Sequence, residues 1–135
     1  MARKAEKTVL VKRGAMGAGI AAGINFLIFF ISKGVGISYT VPPRMTDQEP
    51  IDLTATGIIL SSVVPAMVAT ILLMILNHYS KKPLQFFVII AVIVLLLSFA
   101  PVFMVDVSVN TKVMLGIMHL VAAGAIIIFL RSAYE

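Results

Sequence analysis

The chain has 135 residues, of which 60% are hydrophobic and only 13% are charged, and this balance excludes an ordinary soluble domain. A soluble domain of this length would leave much of its apolar surface in water, whereas lipid can cover that surface. The net charge of +5 does not indicate a nucleic-acid-binding protein, because the basic residues flank apolar segments and aromatic residues are few. The absence of cysteine excludes disulfides and thiolate chemistry.

The first predicted helix covers residues 13–32 and is rich in glycine and alanine. About 20 apolar residues in a helix cross a hydrocarbon core of about 30 Å, so this segment is long enough to span a membrane. Its basic start also resembles a signal peptide, and we expect a retained helix. Gly19 and Gly23 form a GxxxG pair, which allows two helix backbones to approach closely. Packing within the chain and a dimer contact between two copies are both consistent with this pair.

The long connection at residues 32–53 follows the first helix. Its prolines block regular helix. The alternation of Ile37, Tyr39 and Val41 predicts either a short strand or a lid over the mouth of the helix bundle. A lone strand is marginal in stability, so we expect this loop to pack on the bundle.

Three further apolar segments predict helices at residues 54–76, 84–105 and 111–131. Their apolar interiors contain no charged residue. Short connections make consecutive helices antiparallel neighbours. The sequence therefore predicts an all-α integral membrane protein, an up-down four-helix bundle in a single domain of residues 1–135.

Two prolines lie inside these helices. Pro65 and Pro101 each remove one backbone hydrogen bond, and each predicts a kink. The hydroxyls of Ser61 and Ser62 lie one turn before Pro65 and are expected to satisfy the freed carbonyls. A kink gives the bundle its shape or forms the wall of a cavity.

The basic residues predict how the bundle is oriented. Of the eleven Lys and Arg residues, eight fall on one side of the predicted bundle and three on the other. The eight are Arg3, Lys4, Lys7, Lys12, Arg13, Lys81, Lys82 and Arg131, and the three are Lys33, Arg44 and Lys112. The positive-inside rule places the eight, and hence both termini, in the cytoplasm. The expected location is a bacterial or archaeal cytoplasmic (inner) membrane.

One polar layer crosses the four predicted helices. Counted from the segment midpoints with about 1.5 Å of rise per residue, one or two polar side chains of each helix fall at a similar depth. They are Asn25, Ser61, Ser62, Ser98 and His119. An unpaired polar group in hydrocarbon is costly, so these side chains should face the interior of the helix bundle. They form either structural hydrogen bonds between helices or a small polar pocket that binds a ligand.

No catalytic set is visible in the sequence. His119 is the one histidine within the predicted spans, and no carboxylate lies at its depth to complete a metal site or a proton-coupled exporter. His78 lies far from it in depth, so a haem held by both is not expected. We expect no enzyme activity, no cofactor and no metal.

Several stretches together resemble a family of small bacterial proteins with four transmembrane helices, known only as a domain of unknown function. They are GVGISYTVPP at 34–43, SSVVPA at 61–66, KKPLQFF at 81–87, LSFAP at 97–101 and TKVMLGIMHLVAA at 111–123. The resemblance covers nearly the whole chain. It implies the four-helix layout and supplies no activity.

The leading functional hypothesis is a non-enzymatic accessory or structural bundle that binds another membrane component. The alternative is a protein that binds or transports a small molecule or lipid through the polar layer around Asn25 and His119. The expected partners are the lipid bilayer and either further copies of the chain or a larger membrane complex.

Overall fold

The computed structural model describes residues 4–42 and 50–135. Its elements in chain order are α1 (Lys7–Gly34), β1 (Thr40–Val41), β2 (Ile51–Asp52), α2 (Ala55–Tyr79), α3 (Pro83–Met104), α4 (Val109–Arg131) and a 3₁₀ turn (Ser132–Tyr134). All four α-helices are long and apolar enough to cross a membrane. The predicted all-α membrane fold with four helices is confirmed.

The observed helix ends differ most from the predicted ones at the start of α1. This helix begins at Lys7, whereas the apolar run predicts residue 13. The prediction counted apolar residues, but a helix continues through a basic flank because Lys and Arg are good helix formers. Ser108 caps α4 by accepting a hydrogen bond from the Thr111 amide at 3.2 Å.

Helix α1 packs along α2 through its smallest side chains. Gly14 lies against Thr70, and further along α1 the side chain of Asn25 reaches Ser62. Residue numbers rise along α1 as they fall along α2, so the two helices are antiparallel. A Cβ built on Gly14 would overlap Thr70 Oγ1, which shows that glycine is required at this contact.

Helix α1 also packs along α4, again antiparallel. A Cβ on Gly17 would lie 3.4 Å from Cα of Ile126, and Asn25 reaches the backbone of Met118. Helix α3 lies on the far side of α2 and α4 and, among the described residues, has no contact with α1. Glycine and alanine make up the middle of the buried face of α1, namely Gly14, Gly17, Ala18, Ala21 and Ala22, and the other buried residues of the helix are Leu10, Asn25, Phe29 and Ser32.

The prediction that Gly19 and Gly23 pack within the chain is wrong. Both are exposed, and no described atom lies within 4 Å of a Cβ built at either position. Gly19 follows Gly17 by two residues, which is about 200° around a helix with 3.6 residues per turn. The pair therefore faces away from α2 and α4. Its interpretation as a contact between two copies stays a prediction.

Both termini and the α2–α3 turn meet at one end of the bundle, here named the terminal end. Asn77, in the last turn of α2, forms hydrogen bonds to a residue near each end of the chain. Its Nδ2 donates to the carbonyl of Ala5 at 2.8 Å, and its Oδ1 accepts from the Ala5 amide at 3.2 Å and from the Tyr134 hydroxyl at 3.0 Å. Lys4 Nζ also donates to the carbonyl of His78.

The described basic residues group as the sequence indicated. Those at the terminal end are Lys4, Lys7, Lys12, Arg13, Lys81, Lys82 and Arg131. Lys33 and Lys112 lie at the opposite end, and Arg3 and Arg44 lie outside the described residues. The side of the membrane that each end faces stays a prediction.

Tyr39 closes the opposite end, here named the loop end. It is buried against Phe29, Ile58 and Met118. Immediately after it, the two residues of β1 pair antiparallel with those of β2. For the described part of the loop, the predicted packing on the bundle is confirmed by Tyr39, and the short strand is present at Thr40–Val41, while residues 43–49 lie outside the described residues.

Replacing Tyr39 with phenylalanine should lower the free energy of unfolding by about 0.5–1.5 kcal/mol. The Tyr39 hydroxyl lies 2.6 Å from Ser32 Oγ, and Ser32 in turn donates to main-chain carbonyls, so Tyr39 is the donor of this bond. Denaturant titration in detergent micelles measures the loss. Tyr79→Phe is the control, because Tyr79 is 82% exposed. An equal loss in both variants would contradict the assignment.

Helix α2 continues through Pro65, and α3 continues through Pro101. The kinks stay predictions. Pro65 has no N–H, so the carbonyl of Ser61 lacks its usual helical donor. The hydroxyls of Ser61 and Ser62 were expected to satisfy it, but both donate to the carbonyl of Ile58, at 2.8 and 3.1 Å. That expectation is wrong, because a serine hydroxyl in a helix reaches the carbonyl three or four residues before it.

Candidate functional site

Helix α3 is held mainly at its two ends. Phe87 near its start and Val102 near its end are buried, whereas only 11% of its apolar span is buried, the smallest share among the four helices. Between these two anchors lies a cavity of about 420 Å³ bounded by α2, α3 and α4. Its volume falls in the range of about 300–1,000 Å³ that is typical of small-molecule sites.

The cavity is lined by segments 58–72 of α2, 87–98 of α3 and 115–127 of α4, together with one residue of α1. At about 1.5 Å of rise per residue, these segments extend about 16–21 Å along the bundle. Aliphatic side chains form most of its wall. The polar lining residues are Asn25, Ser61, Ser98 and His119.

These four residues all lie in the half of the cavity nearer the loop end. They belong to the polar layer expected from the sequence. Each of the four helices contributes one of these residues, and the structure brings the four residues together at one site. Ser62, the fifth member of that layer, is buried behind the wall, where it contacts Asn25. The role of the layer in ligand binding stays a prediction.

Asn25 joins three helices. Its Nδ2 donates to Ser62 Oγ at 3.0 Å and to the carbonyl of Met118 at 3.1 Å. The amide orientation is determined by Met118, because a carbonyl only accepts. Ser62 has already donated its own hydrogen to the carbonyl of Ile58. Within the described part of the chain, Asn25 Oδ1 is therefore left buried without a donor.

The other three polar lining residues bond to the backbone of their own helices. Ser61 and Ser98 donate to carbonyls three residues earlier, at 2.8 and 2.6 Å. His119 Nδ1 lies 2.8 Å from the carbonyl of Leu115, and its ring lies beside that of Phe99. None of these three side chains bonds to another side chain among residues 4–42 and 50–135. Their lone pairs remain available to the cavity.

The cavity opens sideways into the region of the lipid chains. Its exposed lining residues lie on α2 and α3, whereas no lining residue of α4 is exposed. Val64 and Val68 are 53% and 61% exposed on α2, and Val94 is 58% exposed on α3. The opening therefore lies on the lateral surface of the bundle, between α2 and α3.

A second, more open groove lies at the terminal end, where Lys82, Gln85, Arg131 and Tyr134 surround the start of α3. It has basic side chains but holds no buried, unpaired polar atom among the described residues. In the same part of the chain, no group of three His, Asp or Glu residues is placed to hold a metal ion.

A family model described as "Family of unknown function (DUF6069)" matches residues 5–135. The chain belongs to this family. The resemblance found in the sequence is thereby confirmed. A search of curated proteins and a search of solved structures each found no match.

In this DUF6069 chain, two structural contacts were missed by sequence reasoning. Asn77 lies just past the predicted helix 54–76, and no role was predicted for it, whereas its side chain bonds to Ala5 and Tyr134. Thr70 lies against Gly14 and donates to the carbonyl of Ala66 at 2.7 Å. Gly14, five residues before Gly19, is not part of the GxxxG motif, so only the packed structure identifies this contact.

Proposed function

We propose that this integral membrane protein binds a small lipophilic molecule, which enters the cavity laterally from the bilayer. The observation that carries the proposal is the cavity itself, which is apolar along most of its length, polar at one end and open between α2 and α3. Concave apolar sites with a few convergent polar groups are typical of small-molecule binding.

The packing of α3 supports this proposal. Protein interiors are normally close-packed, and a void costs the contacts that its lining atoms lose. Here each of three helices contributes at least one small residue to the wall, since Ala69, Ala91, Ala122 and Ala123 all line the cavity. Larger side chains at these positions would fill it. A bundle selected only for stability would benefit from such filling, so the retained space supports a binding role.

The proposed role is non-enzymatic. The serine hydroxyls in the wall donate to main-chain carbonyls and not to His119, so no nucleophile is paired with a base. No carboxylate is found among the described residues that line the cavity. We further propose a bacterial or archaeal inner membrane with both termini in the cytoplasm, because the terminal end carries most of the basic residues.

Native mass spectrometry of the full chain, extracted gently from its own membrane, tests the binding role. Wild-type protein should carry one reproducible extra mass that differs from bulk lipid. Ala91→Phe places a ring in the cavity and should lose that mass. Val92→Phe is the matched control, because Val92 lies next in sequence, is 42% exposed and is outside the cavity wall.

A wild-type protein without any extra mass would contradict the binding role, as would an extra mass retained by Ala91→Phe. Loss of the mass in both variants would show that bulk on α3 disturbs the bundle in general, and it would remove the support for the cavity as the site.

One observation favours the other hypothesis, that the protein is an accessory or structural bundle that binds another membrane component. Gly19 and Gly23 lie on an exposed face of α1 that no described residue covers. Small residues allow close helix contact in lipid, so this face suits a second copy of the chain. Crosslinking in native membranes should then give a dimer in wild-type protein but not in Gly19→Leu. A monomer in both would count against this hypothesis.

A further inference from the structure

We propose that the ligand of this cavity is a neutral amphipathic molecule whose hydroxyl group donates a hydrogen bond to Nε2 of His119. This inference rests on the proposed function and deepens it by naming the chemical class of the ligand. It follows from which atoms at the polar end of the cavity can accept a hydrogen bond and which can donate one.

His119 presents an acceptor. Its Nδ1 is bonded to the carbonyl of Leu115 at 2.8 Å, and a carbonyl cannot donate, so Nδ1 carries the hydrogen of this bond. In a neutral imidazole the other nitrogen is then an acceptor. Nε2 has no hydrogen-bond partner among the described residues, and it is not one of their buried polar atoms. The ring that carries it lines the cavity.

The remaining polar groups at this end also offer only acceptors. The hydrogens of Ser61 and Ser98 are used in bonds to the carbonyls of Ile58 and Leu95. Both hydrogens of the Asn25 amide are used as well, and its Oδ1 is the atom left without a donor. A ligand that only accepts hydrogen bonds would find no partner here, whereas a donor finds several.

The donor is a neutral hydroxyl and not an ammonium group. A cation inside hydrocarbon is costly unless an opposite charge accompanies it. The described lining residues include no carboxylate that would supply such a charge. A hydroxyl brings a hydrogen-bond donor without that cost.

The shape of the cavity sets the orientation of the ligand. The polar groups lie toward the loop end, whereas Leu72, Phe87 and Ile127 form an apolar wall toward the terminal end. The distance between the two ends is about 16–21 Å at the rise of a helix. The ligand therefore places its hydroxyl beside His119 and its apolar body along α3, and it enters between α2 and α3.

A matched pair of probes tests this inference. The phenol 4-heptylphenol donates a hydrogen bond, and its methyl ether 4-heptylanisole has nearly the same body but no donor. Binding of each to the full chain is measured in lipid nanodiscs and corrected for partition into empty nanodiscs. Wild-type protein should bind the phenol about tenfold more tightly, because one hydrogen bond to an otherwise unpaired acceptor distinguishes the two probes.

His119→Phe should abolish this preference, because it keeps an aromatic ring and removes the acceptor. His78→Phe is the matched control and should keep the tenfold preference, because His78 lies at the terminal end outside the cavity. A preference that persists in His119→Phe would overturn the assignment of the acceptor.

The two proposals fail in different ways. If wild-type protein binds both probes equally and Ala91→Phe binds neither, the assignment of a hydroxyl ligand is overturned. The proposed binding role of the cavity is then retained. Absence of binding to wild-type protein, or equal binding to wild type and Ala91→Phe, would overturn both. The comparison of the two probes on wild-type protein tests the assignment of a hydroxyl ligand even if His119→Phe does not fold.

Discussion

Asn77→Ala should lower the free energy of unfolding by about 2–4 kcal/mol, since it removes three hydrogen bonds that are each worth about 0.5–1.5 kcal/mol. The lost partners are both backbone groups of Ala5 and the hydroxyl of Tyr134. The loss should concentrate at the terminal end, where the first residues of the chain are attached to the bundle by this side chain. Denaturant titration in detergent micelles measures the total, and hydrogen exchange at the Ala5 amide measures the local effect.

Two further variants make this result specific. Asn77→Asp keeps an acceptor for the Ala5 amide and the Tyr134 hydroxyl but places a second oxygen against the Ala5 carbonyl at a buried position, so it should also destabilise the bundle. Asn110→Ala changes an exposed asparagine at the start of α4 and should have almost no effect. Equal losses in Asn77→Ala and Asn110→Ala would show that the terminal end contributes little to stability.

Gly14→Ala should destabilise the bundle by about 1–3 kcal/mol, which is the usual cost of adding volume to a packed site. The new methyl group would overlap Thr70 Oγ1 and come within 3.0 Å of Cβ and Cγ2 of the same residue. Rotation of Thr70 does not relieve the clash, because both branches of the side chain lie close and Oγ1 is bonded to the carbonyl of Ala66. Thermal unfolding in micelles measures the change.

Gly19→Ala is the control for this prediction, because no described atom lies within 4 Å of its new methyl group. It should leave stability unchanged or raise it slightly, since alanine is the better helix former. Combining Gly14→Ala with Thr70→Ala should restore part of the loss, because the two residues share one contact. Independent, additive losses in the double variant would contradict direct contact between α1 and α2 at this position.

The sequence predicted the fold well because the signals for membrane helices are local. Length and hydropathy identify each span, and a constant rise per residue places polar side chains at a common depth. That argument brought Asn25, Ser62 and His119 into one layer before any contact was known. The prediction that Tyr39 covers the bundle mouth succeeded for a similar reason, because a short alternating segment beside a bundle has few other places to bury its apolar side chains.

Predictions failed where the answer depends on which face of a helix meets which neighbour. Gly19 and Gly23 match a packing motif, yet the residues that pack are Gly14 and Gly17, on the opposite side of α1. In lipid both faces of a helix are apolar, so the hydrophobic pattern does not distinguish them. A small polar pocket was one of the alternatives offered by the sequence, but the long apolar part of the cavity was not predicted, because it arises from the arrangement of α2, α3 and α4 and not from any one residue.

The four helices show an inverse order of hydropathy and burial. Helix α1 is the least hydropathic and the most buried, whereas α3 is the most hydropathic and the least buried. During biogenesis, α3 therefore partitions into the membrane by its own transfer free energy, while the glycine-rich α1 is retained through contacts with α2 and α4 that form only after those helices have been synthesised. Truncation after α2 should leave α1 weakly inserted, and α3 alone should insert efficiently when fused to an unrelated reporter.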